Sequence, residues 1–235
     1  AAIVADPHSG KTEAMLRAFG RHLDTLGGRY ITTTDVGSTT LDLEYIARES
    51  RYVAGLSTNV GGSGDTSVLT GLGVYLGMRA CSKAVWGTDS LAGRTVAMQG
   101  FGKVAYHTAQ HLVEEGVSLV ASDVDELALQ RARDLGAGIV EPDSIYDVPC
   151  DIFSPCALGG VLNDETIPRL KCAIVAGGAN NQLAREGNGA MLAQRGILYA
   201  PDYVINAGGI ISVTMEYLCR REDAPCDINE VRKRI

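Results

Sequence analysis

The sequence predicts an α/β protein: a doubly wound parallel sheet, preceded by a partial α/β segment. Three observations predict it. From Arg94 onward, short β-forming runs alternate with amphipathic helical stretches. A glycine turn, Gly100–Gly102, follows the first of those runs and opens a helix. A loop rich in Gly, Ser and Asn, Ser57–Gly64, separates the alternation from what precedes it and reads as a hinge.

The elements follow in order. Ala2–Ala5 is a short apolar run, and Lys11–Leu26 has apolar residues at helical spacing until Gly27-Gly28 stops it. Arg29–Thr33 is rich in β-formers, and Leu41–Glu49 is helical. A long helix fits Thr66–Val85, with Gly71, Gly73 and Gly77 marking a face packed close against another backbone. Six strands are expected at Thr95–Gln99, Ser118–Ser122, Gly138–Val140, Asp151–Phe153, Ala173–Ala176 and Ile197–Ala200. Helices are expected at Val104–Glu115, Asp125–Leu135, Asp164–Leu170 and Ala184–Arg195, with Asn206–Cys219 as the last. The expected domains are residues 1–55 and residues 56–235.

Composition narrows the function. Lys+Arg number 21 against 28 Asp+Glu, a net charge of −7. An acidic chain without a basic block is a poor partner for nucleic acid. No apolar run approaches the roughly 20 residues of a membrane span. The first residues lack the basic n-region and apolar core of a secretory signal. The six cysteines form no CxxC pair and read as reduced, mostly buried thiols of a cytoplasmic protein.

The chemistry begins at Gly100-Phe101-Gly102-Lys103-Val104-Ala105, a G-x-G-x-x-A pattern between strand and helix. The first glycine permits the tight turn, the second lets backbone N–H groups approach a pyrophosphate, and Ala105 lets helix and strand pack closely. Alone it is a weak signal. The next strand, however, ends in Asp123, about twenty residues on, where a carboxylate suits the adenosine ribose hydroxyls. It would repel the extra phosphate of NADP, so the pair predicts a Rossmann-type domain holding NAD.

Other residues read more ambiguously. Asp35 stands at a strand end and reads first as a turn or N-cap aspartate; Asn206 can likewise cap the final helix. Gly177–Asn181, with Ala179 and Asn181, follows the fifth strand, where a ligand would lie or a plain turn would do. Cys150 and Cys156 flank the fourth strand; Cys156, with Ala157 beside it, is counted toward the nucleotide, although structural thiols are commoner. His107 and His111 share a helix face but lack a third ligand, so they read as surface histidines and no metal is expected.

Read together, several segments resemble the Glu/Leu/Phe/Val amino-acid dehydrogenase family, with leucine and valine dehydrogenases the nearest types. They are Arg29–Gly37, Gly61–Gly64, Gly100–Ala105, Cys150–Gly159, Ala176–Leu183 and Tyr199–Gly209. The resemblance implies oxidative deamination: an L-amino acid gives hydride to NAD, and the imine is hydrolysed to a 2-oxo acid and ammonium. It implies proton transfer by Asp35, nicotinamide contact by Thr70, and an approach to nicotinamide and substrate by Asn181 and Asn206. It also implies a homo-oligomer. The family's catalytic lysine is expected before Ala1, its substrate-carboxylate lysine further upstream, and a returning helix beyond Ile235. The chain therefore reads as an internal piece, expected to bind NAD without turnover. Lys11 lies past the matching segment and is not assigned to replace either lysine. A phenylalanine-type dehydrogenase and a non-catalytic NAD-binding module are the alternative readings.

Overall fold

The computed structural model describes residues 3, 10–35, 37–222, 224 and 227–235. In chain order the helices are α1 (Glu13–Thr25), α2 (Thr40–Ala47), α3 (Thr66–Trp86), α4 (Lys103–Glu114), α5 (Glu126–Asp134), α6 (Gly187–Gln194), α7 (Asp202–Ile205), α8 (Gly208–Arg221) and α9 (Ile228–Arg232). The strands are β1 (Thr95–Gln99), β2 (Ser118–Ser122), β3 (Gly138–Ile139), β4 (Ile152–Pro155), β5 (Ile174–Val175) and β6 (Leu198–Tyr199). The expected run Ala2–Ala5 lies, apart from Ile3, outside the described residues.

The chain divides into two compact units. One comprises Ala1–Thr66 with Gly209–Arg234; the other comprises Ser67–Gly208 with Ile235. The sequence drew its boundary near residue 55 and kept 209–235 with the larger domain. α8 groups with the first segment because the Glu216 carboxylate on it accepts from the Gly55, Leu56 and Ser63 N–H groups.

In the first unit, Thr12 caps α1 by accepting a hydrogen bond from the Met15 N–H, and Thr39 and Asp42 form a reciprocal capping box on α2. Leu16 and Leu23 of α1 pack with Leu43 and Ile46 of α2 and with Val53 and Leu56. The expected strand Arg29–Thr33 contracts to a single parallel bridge, Thr32 with Val53, because no second strand extends the ladder there among the described residues.

The second unit is the doubly wound sheet, all parallel, in the order β3-β2-β1-β4-β5-β6. Val96 sits in register with Leu119 on one side and Ile152 on the other. The centre of β1 and all of β4 are buried, as expected for strands covered on both faces. Val96 and Met98 enter a core with Val74, Met78 and Leu112, while the intervening Ala97 enters a second core with Phe153, Val175 and Leu192. The expected helix Asp164–Leu170 is only a 3-10 turn, Ile167–Arg169. Asn163 Oδ1 accepts from the Glu165 and Thr166 N–H groups, and Pro168 has no N–H to continue an α-helix. The expected helix from Asn206 is α8, starting two residues later, with short α7 before it; Asn206 ends α7.

Candidate nucleotide site

The strand order reverses between β1 and β4, and open α/β sheets bind ligands beyond the carboxyl ends of the strands at that point. Four loops leave the carboxyl edge there, and hydrogen bonds lace them together. Gly100 N–H donates to Ser122 O at 2.8 Å, and Cys156 N–H donates to Gln99 O at 2.7 Å. Ala179 N–H donates to Pro155 O at 3.0 Å.

Gly100 has φ +89°, and a Cβ on it would lie 2.5 Å from the Ala157 Cβ. Only glycine serves at this turn, which brings Ala157 against the glycine loop. A Cβ on Gly102 would meet nothing within 4 Å. Gly102 also caps α4 without a side-chain hydrogen bond, so the first N–H groups of a 12-residue helix are left for an anion in open space. The carboxylate of Asp123 spans two turns: Oδ2 accepts from Phe101 N–H at 2.6 Å and Oδ1 from Asp125 N–H at 2.9 Å. Immediately after Asp123 and Ala157, Val124 and Leu158 stand 92% and 80% exposed. Val124 thus presents an apolar side chain to solvent one residue past the Asp123 carboxylate, a pairing that fits an adenosine. The residues present therefore fit a dinucleotide.

Phe101 is fully buried, so only its backbone N–H is available to this site. Val104 packs on the sheet core, and Lys103 is the exposed first residue of α4. Burial pushes the Cys156 thiol up, against hydrogen bonds from Gly178 N–H and Ser154, so it is a neutral packing group here.

A second cluster lies in the same unit. Asn206 Nδ2 donates to Gly178 O at 3.3 Å and to Asn180 Oδ1 at 2.6 Å. A Cβ on Gly208 would collide with Leu69 O and approach Thr70 N, which brings the Asn206–Gly208 turn against Thr70 on α3. Asn181, the one non-glycine residue with positive φ among those described, turns its carbonyl to Gly160 N–H at 2.8 Å. Two residues were missed by sequence reading. Asn180 rather than Asn181 is the side-chain partner of Asn206, and nothing local distinguishes the two neighbours. Gln182 is fully buried and donates to Gly177 O and Ala179 O at 2.7 and 2.9 Å, holding the turn from inside.

Asp35 lies in the other unit, exposed, in a turn where Ser38 N–H and Oγ both reach the Asp35 carbonyl. Lys11 is committed to Asp42 at 2.5 Å and Gly37 O at 2.9 Å. His107 and His111 are half-buried rather than surface groups; His107 meets Gln110, and His111 stacks on Tyr75 with ring centroids 5.2 Å apart. No cluster of metal-ligating side chains occurs among the described residues. Five described cysteines are free and partly exposed, less buried than expected; Cys226 lies outside the described residues.

The Glutamate/Leucine/Phenylalanine/Valine dehydrogenase family pattern matches residues 61–129 and 122–235. The chain belongs to this family. It is 54% identical over 217 residues to a leucine dehydrogenase of Thermoactinomyces intermedius, covering 92% of this chain and 59% of that protein. It is 48% identical over 220 residues to a valine dehydrogenase of Streptomyces albus, covering 92% and 60%. Among solved structures it resembles the L-tryptophan dehydrogenase of Nostoc punctiforme, with a TM-score of 0.76 and 44% identity over 95% of this chain and 62% of that one. The chain thus spans about three fifths of the relatives it matches. Dehydrogenases of this family generally use NAD or NADP. No helix among the described residues is long and apolar enough to cross a membrane.

Proposed function

We propose that this protein oxidatively deaminates a branched-chain L-amino acid, leucine or valine, to the 2-oxo acid and ammonium, with NAD as hydride acceptor. The observation that carries the cofactor choice is the Asp123 carboxylate braced on the Phe101 N–H at the end of β2. It accepts from the ribose hydroxyls and repels a 2′-phosphate. The branched aliphatic substrate is supported by roughly half-identity to leucine and valine dehydrogenases. Bound here, NAD would supply the acceptor for the hydride that leaves the substrate α-carbon. The chain's own groups do the rest. The backbone of Gly100–Lys103 at the start of α4 holds the pyrophosphate, with Ala157 against the glycine turn and Val104 and Cys156 packed beneath it as support. Thr70, Ala179, Asn181 and Asn206 orient the nicotinamide end. Asp35 carries protons to and from the amine and water. Residues 1–55 serve the substrate, the sheet unit serves the nucleotide, and the protein works in the cytoplasm as a homo-oligomer.

The test follows NADH absorbance in a protein extended to the span of its relatives. Leucine and valine should support turnover well above phenylalanine. Asp35→Asn should lower kcat about 10²–10⁴-fold while leaving NAD affinity unchanged. Equal turnover with NADP, or full activity of the Asp35→Asn protein, would overturn the corresponding part of this reading.

A further inference from the structure

The opposite, amino-terminal edge of the sheet holds a feature that nucleotide binding does not use. Pro149 bridges Lys171, and Ile152 pairs with Ile174, in one continuous parallel register. That register sets Cys150 directly beside Cys172 on neighbouring strands. Chains paired in this way lie about 4.8 Å apart, within the roughly 4.4–6.8 Å Cα separation that a disulfide spans. Both thiols are free and partly exposed, and both line an open cleft of about 490 Å³ with Trp86, Asp151, Lys171 and Arg195. The Arg195 guanidinium is held at the cleft by the carbonyls of Ile167 and Leu170.

We propose that Cys150 and Cys172 form a peroxide-responsive dithiol, a modification site that closes to a reversible disulfide across the start of β4 and β5.

The two thiols divide the work. A hydrogen bond from Cys150 pulls the Cys172 thiol down; burial opposes this, and the N–H groups of Phe153 and Ile174 and the Arg195 charge assist it. Cys150 is pushed up by the same shared hydrogen bond and by burial, so it stays protonated. With the Arg195 guanidinium lining the same cleft, Cys172 is the member of the pair assigned to attack. Its sulfur bonds to one peroxide oxygen, the O–O bond breaks, and the other oxygen leaves as water after taking a proton. Cys150 sulfur then attacks the sulfenic sulfur. The S–S bond forms, the S–O bond breaks, and the hydroxide leaves as water with the Cys150 proton. Two thiols are oxidised by two electrons and one peroxide is reduced to two waters.

The experiment exposes the purified chain to hydrogen peroxide, blocks remaining thiols with N-ethylmaleimide, and maps tryptic peptides by mass spectrometry without reduction. Trypsin places Cys150 in the peptide 134–169 and Cys172 in 172–185. The expected product joins these peptides through Cys150 rather than Cys156, and dithiothreitol separates them. Cys172 should react at least about tenfold faster than Cys81, whose thiol burial pushes up. In Cys150→Ser, Cys172 should proceed to sulfinic acid with no cross-link. In Cys172→Ser, Cys150 should remain a thiol over the same exposure. Sulfinic acid on Cys172 of the unsubstituted chain without a cross-link, or oxidation no faster than at Cys81, would overturn the proposal. Neither readout depends on dehydrogenase activity.

Discussion

At the scale of single residues, Asp123 carries two duties that a substitution can separate. It braces the glycine turn through Phe101 N–H and, in the proposed function, reads the ribose. Asp123→Asn keeps an acceptor oxygen and removes the charge; Asp123→Ala removes both. NADP discrimination should therefore shrink in both variants, whereas NAD affinity should fall mainly in Asp123→Ala. A lost hydrogen bond to a charged group is worth about 1.5–3 kcal/mol, or about 10–100-fold in affinity. Calorimetric titration of each variant with both nucleotides measures the two effects. An Asp123→Ala chain that binds NAD as tightly as the unsubstituted one would remove Asp123 from the ribose site. The placement of this carboxylate beside the glycine turn was legible in the sequence because both the turn and the strand end are local signals. Asn180 was not, since its role depends on Asn206 arriving from 26 residues away.

At the scale of elements, the glycines of α3 show packing overruling propensity. An Ala in place of a mid-helix Gly ordinarily gains about 1 kcal/mol. At Gly71 the added Cβ would lie 2.7 Å from the His107 Cβ and 2.9 Å from the Thr108 backbone nitrogen, while Thr108 Oγ1 already bonds the Gly71 carbonyl. Backbone cannot rotate away as a side chain can, and overpacking costs about 1–3 kcal/mol. Gly71→Ala should thus lower stability by roughly 1 kcal/mol net, read as a lower urea midpoint with little change in slope. A raised midpoint would show that α3 and α4 can separate without loss. The sequence indicated that these glycines meet another backbone, and α4 is that backbone at Gly71. It overestimated helix at Asp164–Leu170, where side-chain turn bonds and Pro168 won over apolar spacing.

At the scale of the whole molecule, one buried carboxylate shows how distant segments become one unit. Glu216 on α8 is fully buried and accepts from Gly55 N–H at 2.8 Å, Leu56 N–H at 3.3 Å, Ser63 N–H at 2.8 Å and Ser63 Oγ at 2.6 Å. Arg220, one turn later, donates to Val53 O at 2.7 Å. Glu216→Ala would leave three backbone donors without their acceptor, each costing about 1–3 kcal/mol, so the loss should exceed roughly 2 kcal/mol. Hydrogen exchange localises the effect: the Gly55, Leu56 and Ser63 amides should exchange faster, while those of β1 and β4 should not. Unchanged protection at the three amides would show that the carboxylate is not what holds the segment.

The sequence by itself determined the features written in contiguous residues. These are the alternation of strands and helices, the Gly100–Gly102 turn with Asp123 after the next strand, and the family resemblance carried by short segments. Each depends on periodicity or on the conformational range of a few neighbours, which local chemistry encodes. The tertiary structure decided what depends on partners far apart in the chain. It gave α8 to the first unit through Glu216, reduced β3, β5 and β6 to two residues each, joined Asn206 to Asn180, and set Cys150 beside Cys172. No local pattern specifies such pairings, because their free energy comes from contacts that exist only once the chain has folded.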